Sequence, residues 1–412
     1  MKVDDLLQIL RRISLVGALL ALSGTVYAQP AAKRESPPKT RPAAPASAAV
    51  EATIKRADAA REAGRLSEAL ELYARVLQAR PKWSDGWWYV GTIMYDADRY
   101  AEARDALRNV VALEPKRGPA WGMLGLCEFQ TREYERAVNS LQRSRTLGLG
   151  GNQEIENVVR YHTAILYARF QEFEVSFEIL REFVRVGYES PKIIEAFGLS
   201  MLRLPFLPNE VPSEKREPLL IAGRAGFDMA AHRRDQARRA FDELLAKYPE
   251  TPNVHYSFGV FLLGQDPDAA IEEFRRELKI SPSHVPSMVQ MAFEYFKRKD
   301  FEAALPLAEQ SARLAPKMYP ARNVLGRVLL ELGEIEQATK ELEEGVRLAP
   351  DSLEMHYALA RAYTRGGRRE DAAREREIFQ RLEKLYQGQR NQPPATDETG
   401  EKSDPNQSKP KP

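Results

Sequence analysis

Along residues 84–117 the apolar side chains fall into two helical registers divided by a polar step. Trp87, Val90 and Met94 recur at intervals of three and four, which places them on one face of a helix. Tyr100, Ala103, Leu107 and Val110 mark one face of a second helix. Asp96-Ala97-Asp98 is the polar step, and it predicts a tight turn. The small residues Gly91 and Ala103 let the two helices approach closely. Pro115 ends the second helix, because proline has no N–H and its ring clashes with the preceding turn.

The same pattern returns at a step of 34 residues: Trp87 and Trp121, Gly91 and Gly125, Ala103 and Ala137. Near the C-terminus Ala292, Gly326 and Ala360 keep that step, as do Ala304, Ala338 and Ala372, and Pro282, Pro316 and Pro350. Gly333 and Gly367 hold the turn in later copies. A fixed period of this length means stacked supersecondary units.

These residues resemble the tetratricopeptide repeat, W-x2-L-G-x2-Y, then A-x3-F, then P. Trp121-Leu124-Gly125 with Ala137 and Leu141 is a close copy. Met291-Ala292-Tyr295 with Ala304, Ala308 and Pro316 is another, and Leu325-Gly326-Leu329 with Ala338, Leu342 and Pro350 a third. The resemblance spans about residues 50–386 and implies an all-α fold, a right-handed superhelical solenoid of stacked helix-turn-helix repeats. It divides the chain into units near 50–83, 84–117, 118–151, 157–187, 218–251, 252–284, 285–318, 319–352 and 353–386. An N-terminal block thus covers 50–187 and a C-terminal block 218–386. In the third unit LGLGG at 147–151 replaces the closing proline; it follows a helix with no strand before it, so it reads as a helix stop and not a phosphate loop.

Residues 188–217 interrupt the period. Residues 193–204 read as one helix without its partner, and residues 204–218 carry four prolines and read as an irregular connector. Outside the array, residues 29–49 are an Ala/Pro-rich flexible tether, and residues 387–412 are a polar tail that cannot bury enough apolar surface to fold. At the N-terminus Arg11 and Arg12 precede an apolar stretch ending at Val26-Tyr27-Ala28. That is the layout of a signal peptide, 1–28, cleaved after Ala28. The stretch is short for a membrane span of about 20 residues, so no span is expected after cleavage and an N-terminal anchor is the alternative. The expected location is the periplasm or the extracellular space of a bacterium.

Charge is nearly balanced, 61 Lys and Arg against 59 Asp and Glu, so no basic field points to nucleic acid. One cysteine, Cys127, rules out an internal disulfide; among Leu124, Leu126 and Phe129 it reads as a buried, inert thiol. The five histidines lie in different units without metal-ligand spacing, and no carboxylate pair stands out for acid–base work. No metal, no cofactor and no catalytic residue is expected.

What remains is binding. In such an array the first helix of each unit lines the inner groove. Counting one, five and eight places beyond the wedge residue gives the groove candidates Trp88, Thr92 and Tyr95, then Leu126 and Phe129, then Tyr161 and Ile165, and, in the C-terminal block, Phe293 and Phe296. A contiguous apolar strip there predicts a peptide or helix partner. The later units are more polar: Asn323, Arg327, Glu331, Tyr357 and Arg361 take the corresponding places and read first as a solvated helix face, with contact to a second partner or an acidic segment as the alternative. Relatives that bind C-terminal carboxylates use Lys and Asn on neighbouring first helices; here Trp88, Thr92, Gly122, Met123 and Leu126 stand at those places, so the resemblance does not extend to that clamp. The expected function is a non-enzymatic protein-interaction scaffold of the cell envelope. A chaperone-like holdase for envelope proteins is the runner-up, followed by an enzyme with an unusual site near residues 193–217 and by homo-oligomers paired through ends or grooves.

Overall fold

A computed structural model describes residues 45–390 apart from Asn152. The signal-peptide reading at 1–28, most of the tether and most of the tail lie outside the described residues. The described chain is an all-α helical-repeat solenoid of 19 helices, with no strand among the described residues. It forms two compact units that meet in sequence between Pro212 and Ser213.

The first unit holds α1 (Pro45–Glu62), α2 (Leu66–Ala79), α3 (Ser84–Asp96), α4 (Tyr100–Leu113), α5 (Gly118–Gln130), α6 (Tyr134–Leu147), α7 (Gln153–Arg169), α8 (Phe173–Arg185) and α9 (Pro191–Met201). Consecutive helices pair as antiparallel hairpins, and the first helices α3, α5, α7 and α9 also pack side by side. The close approach follows from the glycines. A Cβ built on Gly91 would sit 2.8 Å from Cγ of Leu107, and one on Gly125 would sit 2.7 Å from Cγ of Leu141. Trp87, Val90, Met94, Ala103, Leu107 and Val110 are all buried in one core, so the two registers read from the sequence face each other.

Apart from the turn between Leu262 and Pro267, the turns inside the hairpins use one residue in the left-handed region whether or not it is glycine. Asp98 has φ 57°, Arg132 φ 61° and Lys299 φ 62°, where Gly333 and Gly367 stand in later units. In the first of these, Asp98 N donates to the Tyr95 carbonyl (3.0 Å) and Arg99 N to the Met94 carbonyl (2.9 Å), which satisfies the last carbonyls of the helix.

The helix α9 ends the same way. Arg203 has φ 50°, and Arg203 N and Leu204 N donate to the Ser200 and Leu199 carbonyls. It also packs on α7 and α8 as a first helix does. It is therefore a repeat's first helix and turn whose second helix is replaced by the prolines. The connector packs locally: Leu207 and Val211 are buried, Pro208–Glu210 forms a single 3-10 turn, and Arg169 donates to the Pro205 carbonyl (2.9 Å) and pairs with Glu210 (3.0 Å).

The second unit holds α10 (Ser213–Ala230), α11 (Arg234–Lys247), α12 (Val254–Leu262), α13 (Pro267–Ile280), α14 (Val285–Lys297), α15 (Phe301–Leu314), α16 (Tyr319–Leu332), α17 (Ile335–Leu348), α18 (Leu353–Arg365) and α19 (Arg369–Arg390). Here α14, α16 and α18 form the side-by-side row of first helices.

Four boundaries differ from the sequence reading. Helix α1 begins at Pro45, inside the expected tether, where proline's fixed φ suits a helix start. Helix α7 begins at Gln153 and not at 157. Helix α10 begins at Ser213, inside the expected connector, and carries Pro218 within it. Proline there forfeits one hydrogen bond, to the Glu214 carbonyl, in the opening turns, and its ring is buried. Helix α19 runs on to Arg390, past the expected start of the tail, because no Pro or Gly stands at its C-terminal side before Gly388 and the segment is rich in helix formers.

Candidate functional site

The row of first helices in the first unit carries most of the predicted surface residues. Trp88, Thr92 and Tyr95 on α3 are half-buried. The Trp88 ring lies under the Arg117 guanidinium, whose carbon is 4.6 Å from the ring centroid, and Arg117 is itself held by Asp85 (3.2 Å) and Glu114 (3.2 Å). The Thr92 hydroxyl donates to the Trp88 and Tyr89 carbonyls of its own helix, both at 3.1 Å. Its hydroxyl is thus spent on the backbone of its own helix.

Tyr95, Phe129 and Tyr161 lie on α3, α5 and α7 in turn, each half-buried. Tyr95 and Phe129 pack against the same core cluster. The Phe129 ring meets His162 edge-on at 4.7 Å between centroids, and His162 meets Tyr161 edge-on at 5.3 Å. The sequence reading missed His162, which stands next to Tyr161 and joins its ring to Phe129. Burial holds the His162 imidazole below its ordinary pKa, against a hydrogen bond with the Val158 carbonyl (2.8 Å) that favours the cation. The ring is thus neutral at neutral pH and behaves as part of an apolar strip.

Leu126 and Ile165 do not belong to this surface. They are 4% and 2% exposed, and the sequence expectation is corrected for both. Leu126 shares a core with Leu149, Val159 and Leu166, so the turn after α6 and the face of α7 close over it. Ile165 lies on α7, which packs against α5, α8 and α9. Cys127 is buried, and desolvation pushes its thiol up to about 12, which leaves it protonated and unreactive at neutral pH.

In the second unit Phe293 and Phe296 on α14 are half-buried and stack at 6.3 Å between centroids, 25° from parallel. The Arg327 guanidinium of α16 covers both rings, 5.2 Å from the Phe293 centroid and 4.5 Å from that of Phe296. Beyond it Glu331 accepts from Arg361 (2.8 Å) and Arg365 (2.8 Å) of α18. Burial would raise the Glu331 pKa, but the two guanidinium hydrogen bonds outweigh it and hold the carboxyl below its usual range.

Among the described residues no group of three or more His, Cys, Asp or Glu side chains could hold a metal ion, and no helix is long and apolar enough to cross a membrane. Residues 202–212 form a locally packed turn and connector, and just before them Ser200 of α9 bonds Ser176 of α8 (2.8 Å).

Comparison with known proteins agrees with this architecture. Tetratricopeptide-repeat profiles match residues 28–84, 91–148, 228–285 and 295–362. No curated protein sequence matches the chain. Among solved structures the chain is similar to MamA from Desulfovibrio magneticus RS-1, residue 41 to its end, at 22% identity and a TM-score of 0.36, over 42% of this chain and 97% of that one. It is also similar to an RS-1 MamA double mutant (21%, TM-score 0.38, over 42% and 97%) and to AMB-1 MamA (23%, TM-score 0.34, over 38% and 94%). The repeated hairpins and the matched profiles together make the chain a member of the tetratricopeptide repeat family, whose helical arrays serve as protein-interaction scaffolds.

Proposed function

We propose that the protein is a non-enzymatic scaffold of the bacterial cell envelope that holds a partner peptide or helix against the first helices of its N-terminal unit. The observation that carries this reading is the strip Tyr95, Phe129, His162 and Tyr161, four half-buried rings contributed by three successive first helices. Rings left partly in water across neighbouring helices favour burial by a partner's apolar side chains, at about 25 cal/mol per Å² covered. Trp88 extends the strip, with Arg117 as a polar rim that a partner displaces or contacts. Export rests on the leader pattern of residues 1–28.

The test is capture from native envelope extracts by wild type and by the Trp88→Ala/Phe129→Ala variant, after circular dichroism shows both to be helical. The scaffold reading expects one protein held by wild type and lost by the variant. Many weakly held unfolded clients would replace it with the holdase; equal capture by both proteins would remove the strip as the binding surface. The N-terminus of the mature protein, read by mass spectrometry, is expected at Gln29; an intact Met1 in a membrane fraction would replace export with anchoring.

A further inference from the structure

Arg327 sits in an unusual electrostatic position. Its guanidinium is half-buried on the Phe293 and Phe296 rings, and it makes no hydrogen bond or ion pair with any described residue. The carboxylate one turn along its own helix, Glu331, is taken by Arg361 and Arg365. The Lys297 ammonium near Phe293 is paired with Glu294 at 2.5 Å, so it does not share the vacancy. Burial disfavours the Arg327 cation first and the neighbouring Arg361 charge next, and together they outweigh the favourable pull of Tyr357, Glu331 and Glu354, none of which reaches the guanidinium by a hydrogen bond. One turn earlier on the same face, the Asn323 side-chain oxygen is buried without a donor, and the amide makes no hydrogen bond among the described residues.

A planar guanidinium has five N–H donors in a fork that matches a carboxylate. Stacking on aromatic faces satisfies none of them. A half-buried cation beside a second cation, with Glu331 and Glu354 acting on it only at a distance and no carboxylate in its fork, is stabilised further by an anion that fills the fork. The shelf beneath it is apolar, so the complementary ligand carries an apolar side chain beside the charge. Tyr357 on α18 is 55% exposed and within electrostatic reach of Arg327, and it offers a further ring at the edge.

We infer that Arg327, on the Phe293–Phe296 shelf, is a docking point for an acidic peptide segment of a partner protein in which a carboxylate adjoins an apolar residue. The carboxylate takes the guanidinium fork and the apolar side chain covers the exposed edges of the rings. Charge complementarity selects this occupant over a purely apolar helix, which would leave the cation unpaired and still drier. The site is independent of the aromatic strip proposed for the first unit.

The experiment is selection of peptides from a random displayed library on the full chain, then fluorescence anisotropy of labelled copies at low and high salt. The expected peptides carry Asp, Glu or a free C-terminus next to an apolar residue, and bind more weakly as salt rises. Arg327→Gln is expected to weaken them by at least about tenfold, the scale of a charge-assisted hydrogen-bonded pair. Arg327→Lys, which keeps the charge but not the fork and guards against loss of folding, should fall in between. Changing the peptide's carboxylate to its amide should match the loss, while Trp88→Ala/Phe129→Ala should bind as wild type. The inference is overturned if no peptide is enriched, if the enriched peptides lack a carboxylate, or if Arg327→Gln binds them equally. It is also overturned if only the Trp88/Phe129 variant loses them, or if a peptide of residues 391–412, with its own Asp and Glu residues, competes at the same affinity and makes this chain's C-terminus the occupant.

Discussion

The indole N–H of Trp87 reaches back across the repeat boundary and donates to the carbonyl of Pro81, 2.8 Å away. Trp121 does the same to Pro115 at 3.0 Å. The bond outlasts the tryptophan. In later units Arg322 Nε donates to Pro316 at 3.1 Å, and His356 Nε2 lies 2.8 Å from the Pro350 carbonyl. Those polar substitutes need an anion that tryptophan does not. Arg322 pairs with Glu341, and His356 Nδ1 lies 2.5 Å from Glu375. Where tryptophan fills the gap with carbon, the second helix needs no carboxylate: Ala106 and Ser140 stand at the equivalent places. The wedge residue therefore both fills the hairpin and ties it to the unit before.

Removing only the tie separates these roles. Trp87→Phe keeps most of the apolar volume and loses the donor, and is expected to cost about 1 kcal/mol. Trp87→Ala also opens a cavity and is expected to cost about 3–5 kcal/mol. Because stacked repeats contribute locally, the loss should show as faster amide exchange in α3 to α5 with no change in α14 to α18. A Trp87→Phe variant as stable as wild type in urea unfolding would mean the bond contributes nothing.

Gly125→Ala sets helix propensity against packing. Alanine is favoured over glycine within a helix by about 1 kcal/mol. The new Cβ would lie 2.7 Å from Leu141 Cγ and 3.0 Å from the Leu141 backbone nitrogen. Backbone cannot rotate away, and overpacking of this kind costs about 1–3 kcal/mol. The net effect is expected to be a lower midpoint of thermal unfolding; a higher one would mean the α5–α6 hairpin opens freely.

Glu331 predicts an acid-sensitive edge in the second unit. Its folded pKa lies below the ordinary value of 4.5, because the Arg365 and Arg361 hydrogen bonds overcome the effect of burial. A carboxyl with a depressed folded pKa contributes stability that is fully present above its unfolded value and lost as pH falls through the folded one. Stability at pH 7 therefore exceeds that below about pH 4 by this contribution, and Glu331→Gln should flatten that part of the profile. The readout is urea unfolding followed in α16 and α18 from pH 7 to pH 3; an unchanged slope in the variant would show that Arg361 and Arg365 find other partners.

The 34-residue step, the small residues at Gly91 and Ala103 and the prolines at the unit ends are sufficient to specify a stack of helical hairpins. The physical reason is that hairpin geometry is local. The periodicity of apolar residues, the close-approach glycine and the helix stop all act within one unit or between neighbours. Even the half-repeat at residues 193–204 could be read, because the prolines at 205, 208 and 212 leave no room for a second helix. Pro218 shows the limit of that rule, since a proline near a helix start costs a single bond and α10 absorbs it.

Surface exposure and charge pairing were decided by the tertiary structure. Leu126 and Phe129 are three residues apart on one helix and equally apolar, yet only Leu126 is buried, because Leu149 and Val159 come from the next turn and helix to share its core. Arg327 and Glu331 have the spacing of a helical ion pair, which the sequence alone would assign to each other. The fold gives Glu331 to Arg361 and Arg365 on the neighbouring helix and lays Arg327 on two phenylalanines. A carboxylate goes to the donors whose geometry reaches it, and that geometry exists only once the first helices lie side by side.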